Sequence, residues 1–292
     1  MPIHVEQLHS MFAGEVCGLD LRTPIAALPI GELREAIDKF AVLVFRGDPL
    51  EPDQQLAFAQ AFGPLETSGI IRSGRKFRLH EKLADISNLD ENEHLLDASD
   101  RRRMSNIGNL MWHTDSSFKQ TPAKYSMLHA HAVPSEGGET QFVDMRAAYD
   151  ALSNKVKEQI EKLVAEHSIF ESRAKIGFTD FTDEERAAMP PARQALVRRH
   201  PGSGRKALYL ASHASHIVDW PVPEGKALLM DLIEHATQPQ FIHTHRWQVG
   251  DLLMWDNRCT MHRGRPHDPG LKRDLRRATI EDDGPTAPAE AA

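Results

Sequence analysis

Tyr125-Ser-Met-Leu-His-Ala-His-Ala-Val133 is followed by Pro134, by Gly137-Gly138, and then by Thr140-Gln-Phe-Val143. The first run is rich in apolar residues and ends at a proline, which cannot donate to a sheet ladder. Paired glycines then free the backbone to turn into the second run. Together they read as two strands joined by a turn. Working outward, Phe40-Ala-Val-Leu-Val-Phe45, Ala207–Leu210, Gln240–Trp247, Asp251–Trp255 and Asp274–Ile280 read as further short strands. Apolar residues at helical spacing predict helices over 31–40, 53–62, 146–166 and 224–237. Strands and helices do not alternate as βαβ units, which argues against a doubly wound sheet. The expected class is mainly β with flanking helices, as a sandwich or barrel. There is no internal repeat and no clean linker, so 1–283 reads as a single domain. The Pro/Ala-rich end, 284–292, reads as a disordered tail. The charged, irregular stretch 66–106 reads as a long mobile loop.

Composition narrows the classes. A chain of 292 residues buries a full core, and 40% hydrophobic with 26% charged residues is ordinary for a soluble globular protein. A net charge of -7 exerts no general pull toward nucleic acid or anionic membranes. With only Cys17 and Cys259, no disulfide framework is expected and a reducing compartment fits. The N-terminus has no basic start followed by an apolar run, and no apolar stretch approaches the roughly 20 residues that span a bilayer. The expectation is a cytoplasmic protein without membrane or nucleic-acid partners.

Chemistry concentrates at Trp112-His113-Thr114-Asp115. On a strand, the His-x-Asp spacing puts both side chains on one face. With His262 added, the set matches two imidazoles and one carboxylate on one face of a ferrous ion, leaving positions open for substrate and dioxygen. The pair alone is weak. With 16 histidines and 42 acidic residues, roughly two such pairs arise by chance, and two occur, the other being His4-Val5-Glu6.

Its company strengthens it. Thr140 opens a strand 27 residues past His113, and Gly250-Asp-Leu-Leu-Met-Trp255 is a strand whose following turn delivers His262. Arg273 and Arg277 lie eleven and fifteen residues beyond His262, and on a strand Arg273, Leu275, Arg277 and Thr279 share a face. A guanidinium fork grips a carboxylate through two parallel bonds, so the pattern anticipates anionic ligands. Other features have plainer readings. The pairs His129/His131, His213/His216 and His243/His245 lack the adjacent carboxylate and read as structural or supporting, with His213 and His216 the strongest candidates for more. Asp256 and Asn257 read as turn formers. Arg101-Arg-Arg103 reads as a solvated loop, and Arg276 as half of a surface or interface ion pair.

Several blocks now point to a family. They are Leu83-Ala-Asp-Ile-Ser-Asn88, Trp112-His-Thr-Asp-Ser-Ser-Phe118, Asp144-Met-Arg-Ala-Ala-Tyr-Asp150, Ser212-His-Ala-Ser-His216 and Met254-Trp-Asp-Asn-Arg258. With them the chain resembles the taurine/2,4-dichlorophenoxyacetate dioxygenases, and within that family its 2,4-dichlorophenoxyacetate branch. The resemblance implies a double-stranded β-helix, or jelly-roll barrel, with Fe(II) held by His113, Asp115 and His262. It implies 2-oxoglutarate as cosubstrate, bound by Thr140 and Arg273, and O2 as oxidant. Arg277 is implied as the grip on an anionic aromatic substrate, and a homo-oligomer is implied as the assembly. The loop at 66–76 departs from the phenoxyacetate enzymes, and Arg72 is the candidate basic substrate contact there. The implied reaction hydroxylates the carbon beside the ether oxygen of an aryloxyalkanoate, releasing a phenol and glyoxylate with succinate and CO2. Alternatives are an alkanesulfonate such as taurine at the same iron site, a non-catalytic ligand-binding barrel, and a zinc hydrolase.

Overall fold

The computed structural model of the chain describes residues 2–67 and 78–287. In the strand Leu252–Asp256 alternate side chains take opposite sides: Leu253 and Trp255 face one apolar layer, Leu252 and Met254 another. A strand apolar on both faces belongs at the centre of a sheet. It pairs with Val42–Phe45 on one side and Ala123–Ala132 on the other. The complete sheet runs His4–Gln7, Gly14–Cys17, Val42–Phe45, Leu252–Asp256, Ala123–Ala132, Asp274–Glu281, Leu83–Ser87. Its neighbours are antiparallel except Gly14–Cys17 against Val42–Phe45.

A smaller sheet, Ile242–His245, Thr140–Asp144 and Thr260–Gly264, faces the large one. Phe142 projects from it into a core shared with Val42, Val44, Leu128, Leu253 and Trp255 of the large sheet. Helices cover the outer faces. Helix Ile30–Phe40 buries Leu33, Ile37 and Phe40, and helix Pro52–Gln60 buries Leu56 and Phe58, against Leu43, Met127 and Met254. The second of these starts with Pro52 in its first turn and a Glu51/Gln54 capping box, which occupies backbone donors otherwise left without partners. On the far side, Val143 and Met261 meet helices Met145–Asp150 and Val222–Ala236. The architecture is mainly β with flanking helices. The described strands form four hydrogen-bonded sheets, none closed on itself.

Several local expectations need correction. The helix expected over 146–166 is two short helices, Met145–Asp150 and Asn154–Ile160, followed by the strand Val164–His167. The break is Ser153, whose hydroxyl accepts from the Val156 N–H and starts the second helix afresh. The stretch 66–106 is not simply a loop: it contributes the edge strand Leu83–Ser87 and helix Arg101–Asn106, capped by Asp100. Arg101 and Arg102 are engaged by Glu185 and Asp100. In the terminal stretch, Thr286 accepts from the Ala195 N–H at 3.3 Å and donates to the Gln194 side chain.

Two fully buried histidines make the fold acid-sensitive. Burial, reinforced by His131 and Arg276, pulls His129 down to about 3, and burial with Lys175 pulls His167 to about 3. Both are neutral in the native state, while the unfolded chain protonates near pH 6.5. Stability is therefore complete above pH 6.5 and falls as pH drops from there toward the native values. Each such group removes about 1.4 kcal/mol per pH unit within that window. Melting temperature should fall steadily between pH 6.5 and 4.5, and His129→Gln should flatten the slope. A melting temperature independent of pH over that range would contradict it.

Candidate metal centre

His113, Asp115 and His262 converge, their ligand atoms all lying within 4.8 Å of one another. The expected strand carrying His113 and Asp115 is absent. His113 forms a single bridge to His262, and the chain turns at Asp115. The bridge is reciprocal: His113 N–H donates to the His262 carbonyl at 3.0 Å and His262 N–H returns the bond at 2.8 Å. Thr114, between the ligands, points its hydroxyl away to the carbonyls of Leu210 (2.9 Å) and Thr260 (3.1 Å). That clamp turns Asp115 back toward the histidines. Its carboxylate lies 3.8 Å from His113 Nε2 and 3.7 Å from His262 Nε2.

The donors are in ligating form. His113 Nδ1 lies 2.8 Å from the Met111 carbonyl, so that nitrogen carries the proton and Nε2 keeps its lone pair toward Asp115. Burial lowers the pKa of both imidazoles, against the pull of Asp115, and keeps them neutral. Burial works to raise the Asp115 carboxyl, but the Arg277 guanidinium beside it and the Ser126 hydroxyl favour its ionised form, and it lies below the usual carboxylate range. Two neutral imidazoles and a carboxylate fit a divalent cation that accepts nitrogen and oxygen ligands. Residues around Asp115 fix its orientation. Ser126 donates to Asp115 Oδ2 at 2.7 Å, Asn257 Nδ2 donates to Ser126 Oγ at 3.0 Å, and Asn257 Oδ1 accepts the Asp115 N–H at 3.2 Å. Trp255 Nε1 fixes the Asn257 amide at 3.0 Å. Asn257 is thus more than a turn former. Supports of this kind carry about 10–100-fold in metal affinity, so Asn257→Ala should weaken Mn(II) binding by about that factor in a titration. Wild-type affinity in that variant would remove Asn257 from the role.

The metal group opens on a cavity of about 790 Å³, walled in part by Ile86, Leu89, Leu96, Phe118 and Ile169. His113, Asp115 and Arg277 line it, whereas Thr140 and Arg273 do not. Arg277 donates to Asp115 Oδ1, and its Nε is buried with no partner among the described residues. Arg273 stands beside the glycine turn: a Cβ on Gly138 would lie 3.5 Å from its Nε. Arg273 Nη1 donates to the Ile86 carbonyl at 3.1 Å, and burial lowers its pKa to about 10. No carboxylate pairs with it among the described residues. Thr140 accepts from Trp247 Nε1 at 3.0 Å. Arg72 lies outside the described residues. Two further residues line the cavity: His213, marked in the sequence by the Ser212–His216 block, whose ring edge meets His113 and Phe118, and Arg173, which carries no sequence signal.

A second buried group, His200, Asp256 and Cys259, is not a metal site. Asp256 is already engaged by Arg258 at 2.6 Å and His200 at 2.8 Å, and burial raises the Cys259 thiol well above its ordinary value. It is an ion-pair network, so Asp256 too is more than a turn former.

A buried two-histidine, one-carboxylate group against a large cavity, between facing β-sheets, fits a mononuclear metal centre, the ligand set that oxygen-activating iron enzymes use. The sequence profile of the taurine catabolism dioxygenase TauD, TfdA family matches residues 4–279. The chain belongs to this family. It is 49% identical over 284 residues to the alpha-ketoglutarate-dependent 2,4-dichlorophenoxyacetate dioxygenase of Cupriavidus pinatubonensis, covering 97% of this chain and 99% of that one. The (S)-phenoxypropionate/alpha-ketoglutarate-dioxygenase of Sphingobium herbicidovorans is 38% identical over 260 residues, covering 86% of each chain. The solved structure of AAD-2 in complex with Mn(II) and N-oxalylglycine superposes with a TM-score of 0.91 at 48% identity, covering 99% of this chain and 100% of that one.

Proposed function

We propose that this protein is an Fe(II)- and 2-oxoglutarate-dependent dioxygenase of aryloxyalkanoates. It hydroxylates the carbon beside the ether oxygen of substrates such as 2,4-dichlorophenoxyacetate. The observation that carries the reading is the convergence of His113, Asp115 and His262 in a chain 49% identical, nearly end to end, to a 2,4-dichlorophenoxyacetate dioxygenase. We read the facing sheets as the two halves of a double-stranded β-helix, and 1–283 as one catalytic domain. A homo-oligomer in the cytoplasm is the accompanying proposal.

His113, Asp115 and His262 would hold the iron. With 2-oxoglutarate and O2, the iron supplies the oxidising power: one oxygen atom goes into succinate, formed with CO2, and the other into the substrate C–H bond. The resulting hemiacetal collapses to a phenol and glyoxylate, the phenol oxygen keeping the ether electron pair and taking a proton. The protein binds, orients and excludes water. The apolar wall of the cavity accommodates the aryl ring, and Arg277, already aligned by Asp115, presents its buried Nε to an anion. Thr140 and Arg273 form the seat for the far carboxylate of 2-oxoglutarate. A buried guanidinium without a carboxylate fits that task, since a charge-assisted bond contributes on the order of 1.5–3 kcal/mol. Arg273→Ala should therefore raise the 2-oxoglutarate KM by about tenfold or more while shifting the aryloxyacetate KM far less. An unchanged 2-oxoglutarate KM would refute the assignment.

The deciding experiment measures phenol and succinate from 2,4-dichlorophenoxyacetate with Fe(II)-loaded protein, with and without 2-oxoglutarate. Phenol that requires both iron and cosubstrate supports the reading. Succinate without phenol would keep the iron chemistry and move the substrate to alkanesulfonates or other anions. Neither product would overturn the dioxygenase reading.

A further inference from the structure

Five arginines line the 790 Å³ cavity, and four are neutralised by carboxylates. Arg78 pairs with Asp85 and Asp274, Arg101 with Glu185, Arg102 with Asp100, and Arg277 with Asp115. Arg173, on helix Ile169–Ala174, has no carboxylate partner among the described residues. Among the described residues two hydroxyls hold Arg173: Ser105 Oγ and Ser172 Oγ, each at 3.3 Å.

A largely desolvated cation without a counter-ion is costly unless a ligand completes it. Burial, with Arg277 repelling it, lowers the Arg173 pKa to about 10. An anion near both arginines would offset both the burial and the repulsion. The backbone has also made room for this guanidinium. A Cβ on Gly108 would lie 2.2 Å from Arg173 Nη1 and 2.7 Å from Cζ, a space that any other residue would fill.

We propose that Arg173 is a specificity-determining contact for the carboxylate of the aryloxyalkanoate, sharing that anion with Arg277, and that Gly108 exists to admit its side chain. This rests on the aryloxyalkanoate reading. Arg277 already spends one donor on Asp115, whereas Arg173 has its charge in full. A carboxylate at Arg173 also lets the apolar wall take the ring, since Leu89, Leu96, Phe118 and Ile169 line the same space.

The test compares wild type, Arg173→Gln, Arg173→Lys and Gly108→Ala, each loaded with Fe(II). Steady-state kinetics give separate KM values for 2,4-dichlorophenoxyacetate and 2-oxoglutarate, and metal titration checks the iron site. Arg173→Gln should raise the aryloxyacetate KM about tenfold or more, with the 2-oxoglutarate KM and metal affinity within about twofold of wild type. Arg173→Lys should recover part of the loss. Gly108→Ala, whose methyl group displaces only the far end of a flexible side chain, should shift the same KM in the same direction. An unchanged aryloxyacetate KM in Arg173→Gln overturns the proposal. So does a loss spread equally over substrate, cosubstrate and metal, which would mark a structural role. If wild type itself releases no phenol, the functional reading fails first and takes this assignment with it.

Discussion

Asp115→Ala protein is expected to fold but to release phenol and succinate at no more than about a thousandth of the wild-type rate, since a catalytic metal contributes several kcal/mol. The carboxylate does three things at once. It is the sole anionic donor of the metal group, it is the partner of Arg277, and it is the acceptor of the Ser126 hydroxyl. Removing it leaves two neutral imidazoles beside an unpaired guanidinium, an arrangement that repels a cation. Mn(II) titration should show the loss directly, and the melting temperature of the metal-free protein separates it from unfolding. Substantial turnover in this variant, with metal bound at wild-type affinity, would dismiss the proposed iron ligands.

The largest loss of stability is expected at Asp256. This carboxylate is fully buried, and burial opposes its charge. Arg258 and His200 nonetheless hold it far below the ordinary carboxylate range. Arg258 reaches it through Nε at 2.9 Å and Nη2 at 2.6 Å. Asp256→Ala strands the buried guanidinium with the Tyr125 hydroxyl at 3.1 Å and Asp38 at 3.6 Å. Breaking a buried pair from one side costs about 3–5 kcal/mol. For a chain of this size that corresponds to a fall of about 5–8 °C in melting temperature. Calorimetry on the metal-free protein is the direct check, and a fall of less than about 2 °C would mean that Arg258 finds another anion.

The sequence makes some of this legible and hides the rest for physical reasons. Leu252–Asp256 and Ala123–Ala132 are readable because buried strands leave apolar runs between turn formers. The two outer helices are readable because one face of each is apolar at helical spacing. Val164–His167 is hidden because it follows a helical pattern directly, with no turn former between the helix Asn154–Ile160 and the strand. Leu83–Ser87 is hidden because an edge strand needs no long apolar run. At the site, His113, Asp115 and His262 are visible as residue types, and their spacing supplies the hypothesis. The reason they meet is different from the expected one: a backbone bridge and a turn replace a shared strand face. Asn257 and Asp256 show the limit of local reading. Their side chains suit turns, and their partners Ser126, His200 and Asp115 lie far away along the chain. Arg173 has no local signal, because its meaning is the missing carboxylate around it.

The reciprocal backbone bridge between His113 and His262 has one further consequence. Two ligands far apart in the chain are held at a separation set by peptide geometry, whether or not a cation is present. The same preset pair of imidazoles, with one carboxylate, also suits divalent ions that bind nitrogen and oxygen more tightly than iron does. In the general ranking of such ions Zn(II) and Cu(II) outbid Fe(II). Fidelity for iron then belongs to cellular metal supply, and trace zinc in a purified preparation should act as a competitive poison that chelation and fresh Fe(II) reverse.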